Sequence, residues 1–347
     1  MSDRIVPTEP HGKAQKEGTP CTSVKVRGER VRDSDPAGIV AALKTYDNFL
    51  ISTHVNADGD AISAVLVCAA ILKRLKKTHR IVVHDPVPDE RYRFLPGFGE
   101  IHPFEQTPDP GPVNALLALD VPTMDRIGDA TRLLPEDASV LVVDHHESNE
   151  AFGEVNFVRS EVSSTCELLY EVVSELKLPF DERIATCLFT GIAFDTGGFR
   201  FSNTSGEALR IAAEMVDHGA RPDRIADAVF HRRSYEATKF LGQALNAIEL
   251  HLNGKVSSIY LPGDRSKDTD GFINYALFID GVEVAFFMRE EEQGRFRVSF
   301  RSKNRINVNR IAGRFGGGGH GKAAGCRIKG GMSEVKALVL EEIARHL

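Results

Sequence analysis

Apolar positions recur along this chain in two rhythms. IVAALKTYDNF at 39–49 has helical spacing, FLISTH at 49–54 is a short continuous apolar run, and AISAVLVCAAILKRLKK at 61–77 spaces its apolar residues as a helix and ends in a basic turn. RIVVHD at 80–85, ALLALD at 115–120 and SVLVVD at 139–144 are three more short apolar runs, and residues 163–232 read as a succession of helices. Continuous apolar strands alternating with helices predict an α/β fold, a parallel sheet with helices on both faces. Near residues 250–260 the texture changes. KVSSIYL, GVEVAFFMRE and RFRVSF alternate or carry β-branched and aromatic residues between turn signals. A helix at about 306–314, a glycine run at 316–319, a strand at about 325–329 and a terminal helix at 332–346 follow, which predicts a smaller α+β domain. The expected organisation is a disordered tail over 1–35, a catalytic domain with a helical connector over 36–235, and a substrate-binding domain over 236–347, with the active site in the cleft between the two domains.

A length of 347 residues suits two domains, and 42% hydrophobic with 27% charged residues is the balance of an ordinary globular protein. No run approaches 18 uninterrupted apolar residues, so no membrane span is expected. The first twenty residues lack the apolar core of a signal peptide. Five scattered cysteines without CxxC spacing point away from a disulfide framework or a zinc knuckle and toward a reducing, cytoplasmic setting. A net charge of −6 excludes a globally basic nucleic-acid coat but leaves room for a local basic groove.

The chemistry sits where the apolar runs end. FLISTH continues into His54-Val55-Asn56-Ala57-Asp58-Gly59-Asp60, ALLALD ends at Asp120, SVLVVD ends at Asp144-His145-His146, and a fourth apolar stretch, CLFTGIAFD, ends at Asp195. One Asp after a strand is an ordinary helix cap. Four such ends, two of them with histidine, are not explained by capping. Open parallel sheets bind ligands at the carboxyl ends of their strands, which would gather these groups into one crevice. Carboxylates so crowded repel one another unless cations hold them. Oxygen and imidazole donors without thiolate favour Mn²⁺ or Mg²⁺ over structural zinc. Cys166, in an amphipathic helix, is expected to pack rather than to attack substrate.

A second signal lies near the C-terminus. Residues 301–330 carry eight Lys or Arg and no Asp or Glu, and they surround GRFGGGGHGKAAG at 313–325. Four successive glycines suit a loop whose backbone N–H groups approach an anion. The GK[ST] ending of a nucleoside-triphosphate loop is missing, so ATP is not the expected ligand.

HVNADGD, the isolated Asp120 in LALDVP, VVDHH at 142–146 and GIAFDTGGF at 191–199 resemble, in order, the four motifs of the DHH phosphoesterase superfamily. VSFRSK at 298–303 and the glycine-His segment resemble its DHH-associated C-terminal domain. The combination looks most like the bifunctional nanoRNase/pAp phosphatase group. The resemblance implies two divalent ions, Mn²⁺ before Mg²⁺. His54 and Asp58 would hold one, and Asp60, His145 and Asp195 the other. Asp120 would bridge them, Asp144 would orient an imidazole, His146 would face the substrate phosphate, and Asn56 would support the first loop. Ser299, Arg301, Ser302, Gly316, Gly317, Gly318, Gly319 and His320 would bind the nucleotide. The implied activity is hydrolysis of short single-stranded RNA and of 3′-phosphoadenosine 5′-phosphate by metal-activated water, with no membrane partner and a homodimer left open. Two alternatives stay open at this stage: a phosphodiesterase devoted to linear or cyclic dinucleotides, and a non-catalytic nucleotide- or RNA-binding module.

Overall fold

The computed structural model describes residues 33–347 apart from 34, 108, 262–268, 270, 293, 304 and 320. The expected tail and Cys21 thus lie almost wholly outside the described residues. Helix α1 (Ala37–Thr45) leads into β1 (Phe49–Ser52), α2 (Gly59–Arg74), β2 (His79–Val83), β3 (Ile101–Pro103), β4 (Ala115–Leu119), β5 (Ser139–Asp144) and β6 (Val155–Val158). Helices α3 (Thr165–Glu175), α4 (Glu182–Asp195), α5 (Gly206–Asp217), α6 (Pro222–Ala226) and α7 (Tyr235–Asn246) follow. The C-terminal part comprises β7 (Ile248–His251), β8 (Val256–Leu261), α8 (Phe272–Leu277), β9 (Val284–Glu292), β10 (Arg295–Ser302), α9 (Val308–Gly313), β11 (Gly318–Gly319), β12 (Ala323–Lys329) and α10 (Met332–Ala344).

The first sheet is parallel throughout, in the order β3-β2-β1-β4-β5-β6. The chain winds outward from β1 through β2 and β3, then crosses back to place β4 on the other side of β1. Connections from β1 and β4 therefore leave in opposite directions, and a crevice opens at their carboxyl ends. Both faces of the sheet are covered, as its continuous apolar strands demand. Phe49, Ile51, Leu117, Leu119 and Val143 join the cluster formed with α1 to α5. Leu50, Leu116, Ala118, Val140 and Val142 turn the other way, onto Ile127 and Ala130 of a 3₁₀ segment over Met124–Leu133.

One expectation needs correcting. CLFTGIAFD is not a fourth strand-like end but the second half of α4. Asp181 caps that helix by accepting from the Ile184 N–H at 3.0 Å. The helix is packed among α2, α3 and α5, and a helix apolar nearly all round gives the same continuous run as a buried strand.

The second sheet runs β11-β12-β10-β9-β8-β7, antiparallel except for the β8–β9 pair. Strand β10 alternates. Phe296, Val298 and Phe300 pack with α9 and α10, while the opposite face, through Ala285 and Phe287 of β9, packs on α7 and α8. The glycine run is only partly a loop, because Gly318 and Gly319 pair with Gly325 and Ala324. Among the described residues, no helix is long and apolar enough to cross a membrane.

Leu117, fully buried at the centre of the parallel sheet, sets the scale for this core. Leu117→Ala should lower stability by about 2–5 kcal/mol. The check is the shift of the denaturant midpoint, and a shift near zero would mean that the strand is not the core element described.

Candidate active site

The crevice at the β1/β4 crossover receives the acidic strand ends. After β1 the chain runs through His54 and a turn in which Asn56 has a left-handed φ of 58°. Asp58 then caps α2, its Oδ1 accepting from the N–H groups of Asp60 at 3.1 Å and Ala61 at 3.2 Å. Its capping role leaves Oδ2 pointing to His54 Nε2, at 3.9 Å. Asp120 directly follows β4, with a left-handed φ of 55° and its N–H bonded to Val143 O at 3.0 Å. Asp144 closes β5, and His145 and His146 follow it.

Asp120 stands in the middle of this group. Its Oδ2 lies 3.6 Å from His54 Nε2, and its Oδ1 lies 3.5 Å from His145 Nε2 and 3.7 Å from His146 Nδ1. His145 Nε2 is 3.0 Å from Asp195 Oδ2. Three trios, His54–Asp58–Asp120, Asp60–His145–Asp195 and Asp120–His145–His146, each bring ligand atoms within 4.8 Å of one another. Asp144 is fully buried behind them. Its Oδ1 is 2.6 Å from His146 Nδ1, and its Oδ2 accepts from Asn149 Nδ2 at 2.6 Å.

Burial and mutual charge shift the titration of this group. Burial, then the charges of Asp120 and Asp195, push the Asp60 carboxyl well above its ordinary range. Burial likewise raises Asp58 to about 6, against the pull of His54 and with the push of Asp120 and Asp195. Burial alone would lower His54, but the Asp120 carboxylate and the Asp58 charge outweigh it and raise the imidazole to about 10. Asp120 is held below the carboxylate range because the imidazoles around it overcome its burial. A divalent cation relieves the carboxylate repulsion directly. The donors, carboxylate oxygens and imidazole nitrogens, can hold such ions.

Several groups beyond the expected site residues support the cluster. Asp85, just past β2, accepts from the N–H groups of Asn56 and Ala57, both at 2.8 Å, so this carboxylate holds the first loop from outside it. The amides of Thr165 and Cys166, in the first turn of α3, donate to Asp60 Oδ2 at 2.7 Å and Oδ1 at 3.1 Å. Thr165 Oγ1 donates to Asp120 Oδ1 at 3.0 Å. The Cys166 thiol is fully buried and driven well above its ordinary range by burial and by the Asp60 charge, which suits packing and not nucleophilic attack. Gly191 has no room for a side chain. A Cβ there would fall 2.3 Å from Cys166 Sγ and 2.4 Å from Asp60 Oδ1.

The residues expected from the second domain divide. Ser299 and Arg301 lie on the α7/α8 face of β10, opposite Phe287 and Ala285. Ser302 is on the other face and buried, its hydroxyl donating to Ile306 O at 2.7 Å, so it braces a turn. The amides of Gly316 and Gly317 bond within the turn, to Gly313 O at 3.0 Å and Ala312 O at 2.9 Å. Gly317 is required by packing, since a Cβ would lie 2.1 Å from Gly325 O. Gly318 and Gly319 are exposed, and His320 lies outside the described residues.

Two substitutions test the supports without replacing a candidate ligand. Asp85→Ala and Gly191→Ala should each weaken divalent-cation binding by about 10- to 100-fold, the usual penalty for losing a group that positions a ligand. Isothermal titration with Mn²⁺ on protein of unchanged circular dichroism makes the comparison, and wild-type affinity in either variant would contradict the role given to that residue.

The arrangement has relatives. Residues 48–192 match the DHH family N-terminal domain, and residues 253–347 match the DHHA1 domain. The bifunctional oligoribonuclease and PAP phosphatase NrnA of Thermus thermophilus is 34% identical over 302 residues, covering 86% of this chain and 89% of that protein. The Bacillus subtilis protein of the same name is 25% identical, covering 84% of this chain and 92% of its own. The crystal structure of an exopolyphosphatase-related protein from Bacteroides fragilis superposes with a TM-score of 0.80 at 25% identity, over 89% of this chain and 95% of that one. With the crossover crevice, the histidine–aspartate trios and matches of this extent, the chain belongs to the DHH family and carries a DHHA1 domain after its DHH domain.

Proposed function

We propose that this protein is a phosphoester hydrolase acting on short RNA oligonucleotides and on 3′-phosphoadenosine 5′-phosphate, which it converts to AMP and phosphate. The observation that carries this function is Asp120, whose two oxygens face different trios of candidate ligands. His54 and Asp58 would take one divalent cation, Asp60, His145 and Asp195 a second, and Asp120 both. Two such ions, Mn²⁺ before Mg²⁺, would supply Lewis-acid activation of water and charge neutralisation for in-line attack at phosphorus. The named activities of the Thermus and Bacillus relatives support the substrate class.

The remaining work falls to the protein. Asp144 fixes the His146 ring through Nδ1, at 2.6 Å, which turns Nε2 away from the carboxylate. Nε2 would contact the scissile phosphate. The charge of Asp144 favours a protonated ring, so the contact is charge-assisted. Arg301 and Ser299, half-buried on the α8 side of β10, would hold a second phosphate of the substrate, with Gly318 and Gly319 alongside. Arg301 is suited to that task by its planar fork of donors. A dinucleotide-only phosphodiesterase would share all these groups, and substrate choice alone separates the two functions.

Asp120→Ala should abolish hydrolysis of every substrate, since its two oxygens face His54 on one side and His145 on the other. Arg301→Ala should leave Mn²⁺ binding nearly unchanged and lower kcat/KM by roughly ten- to a hundredfold, about 1.5–3 kcal/mol for a lost charge-assisted contact. Loss of metal in Arg301→Ala would place that residue wrongly. The function itself is tested by turnover of 3′-phosphoadenosine 5′-phosphate, linear and cyclic dinucleotides, and single-stranded RNA of two to twenty nucleotides, with Mn²⁺ and Mg²⁺ compared. The bisphosphate and RNAs of two to five nucleotides should be used well, and kcat/KM should fall steeply beyond that. Equal or better cleavage of a twenty-nucleotide strand would point instead to a processive exonuclease.

A further inference from the structure

Phe278, the residue that ends α8, is 51% exposed, and Tyr275, three positions before it on the same helix, is 44% exposed. Residues three apart along a helical backbone leave it on the same side, so both exposed aromatic side chains share one side of α8. Their surroundings set them apart from scattered surface apolar residues. The Arg200 guanidinium stands over the Phe278 ring, 6.0 Å from its centroid. Arg200 belongs to the loop that follows Asp195, and its Nε donates to Gly197 O at 2.6 Å. That loop is tied to the candidate ligand, because Asn203 Nδ2 donates to Asp195 O at 3.1 Å. On the other side, Lys303 Nζ donates to Ile279 O, next to Phe278, at 3.3 Å. Lys303 is two residues beyond Arg301, and Arg301 shares with α8 the same face of the second sheet. Phe278 therefore bridges the loop leaving the metal-ligand cluster and the basic end of β10.

We infer that Phe278 is a stacking platform for a nucleobase of the substrate, with Arg200 as the residue that positions its ring, an assignment that rests on the nucleotide hydrolase function proposed above. A nucleotide bound between the trios and Arg301 has its phosphates claimed at both ends, and its base needs an apolar surface between them. An exposed phenyl ring flanked by a cation offers one, and it accepts any base because every base has a π-face. Tyr275 gives room for a second base and no more on this helix, in keeping with a preference for very short substrates.

The test uses the full-length protein with a dinucleotide containing 2-aminopurine, whose fluorescence is quenched by stacking, and an abasic dinucleotide of the same backbone as competitor. Wild type should bind with quenching. Phe278→Leu, which keeps apolar bulk but removes the π-face, should bind the base-containing dinucleotide roughly ten- to a hundredfold more weakly without quenching. Its affinity for the abasic competitor should be unchanged, and Phe278→Tyr should restore both readouts. In turnover, the leucine variant should raise KM more than it lowers kcat. Quenching and binding that survive Phe278→Leu, an equal loss for the abasic competitor, rescue by leucine as good as by tyrosine, or no dinucleotide binding by wild type would each overturn the platform. Wild type that binds and quenches but hydrolyses no nucleotide would leave the platform standing and refute the proposed function instead.

Discussion

Three carboxylates, the buried Asp60 and Asp120 and the half-buried Asp195, crowd one crevice, and the rest of the catalytic half is arranged so that they can. Burial and then the neighbouring like charges disfavour ionisation, and both raise the Asp60 carboxyl. Each is offset in a different way. The first-turn amides of α3 hold both oxygens of Asp60, where the helix N-terminus also favours negative charge. Imidazoles surround Asp120 and adjoin Asp195. Backbone geometry bears part of the load. Asp120 occupies a left-handed conformation that costs a non-glycine residue about 1–2 kcal/mol. Gly191 gives up a side chain so that α4 can approach Asp60. His54 and His145 each face more than one of these carboxylates, and the same donors could hold divalent cations.

The second domain works by partition across one strand. Strand β10 turns Phe296, Val298 and Phe300 to one face and Ser299 and Arg301 to the other. The first set builds the core with α9 and α10. The second shares its face with α8, whose exposed end meets the loop beyond Asp195 through Arg200 and Phe278. The residues proposed for chemistry and for recognition thus belong to separate domains, which meet at the contact of Arg200 with Phe278.

Much of this was legible in the residues because function here sits at strand ends, where a polar residue after a continuous apolar run stands out. His54, Asp58, Asp60, Asp120, His145 and Asp195 all carried that signal, and the structure gathers them. Asp195 carried it for the wrong reason, since a fully buried helix imitates a strand. Supports made of backbone, such as the Thr165 and Cys166 amides, leave no mark in sequence. Asp85 did end an apolar run, RIVVHD, and the same criterion applied to it would have found it. Ser302 was also readable: period-two alternation in VSFRS sets it with Val298 and Phe300, away from Arg301. The glycine run suggested anion binding, but at Gly317 close packing against β12 is the stronger demand. Short edge strands β3 and β6 gave no continuous run to detect, with a proline in one and an asparagine in the other.

The central claim is that one carboxylate, Asp120, is shared between two cations. A crystal soaked in Mn²⁺ and measured on both sides of the manganese absorption edge tests it directly. Two anomalous peaks about 3.5–4 Å apart, with Asp120 bonded to both and the two outer trios divided between them, are the result expected. A single peak, or two peaks of which only one is bonded to Asp120, would contradict the account.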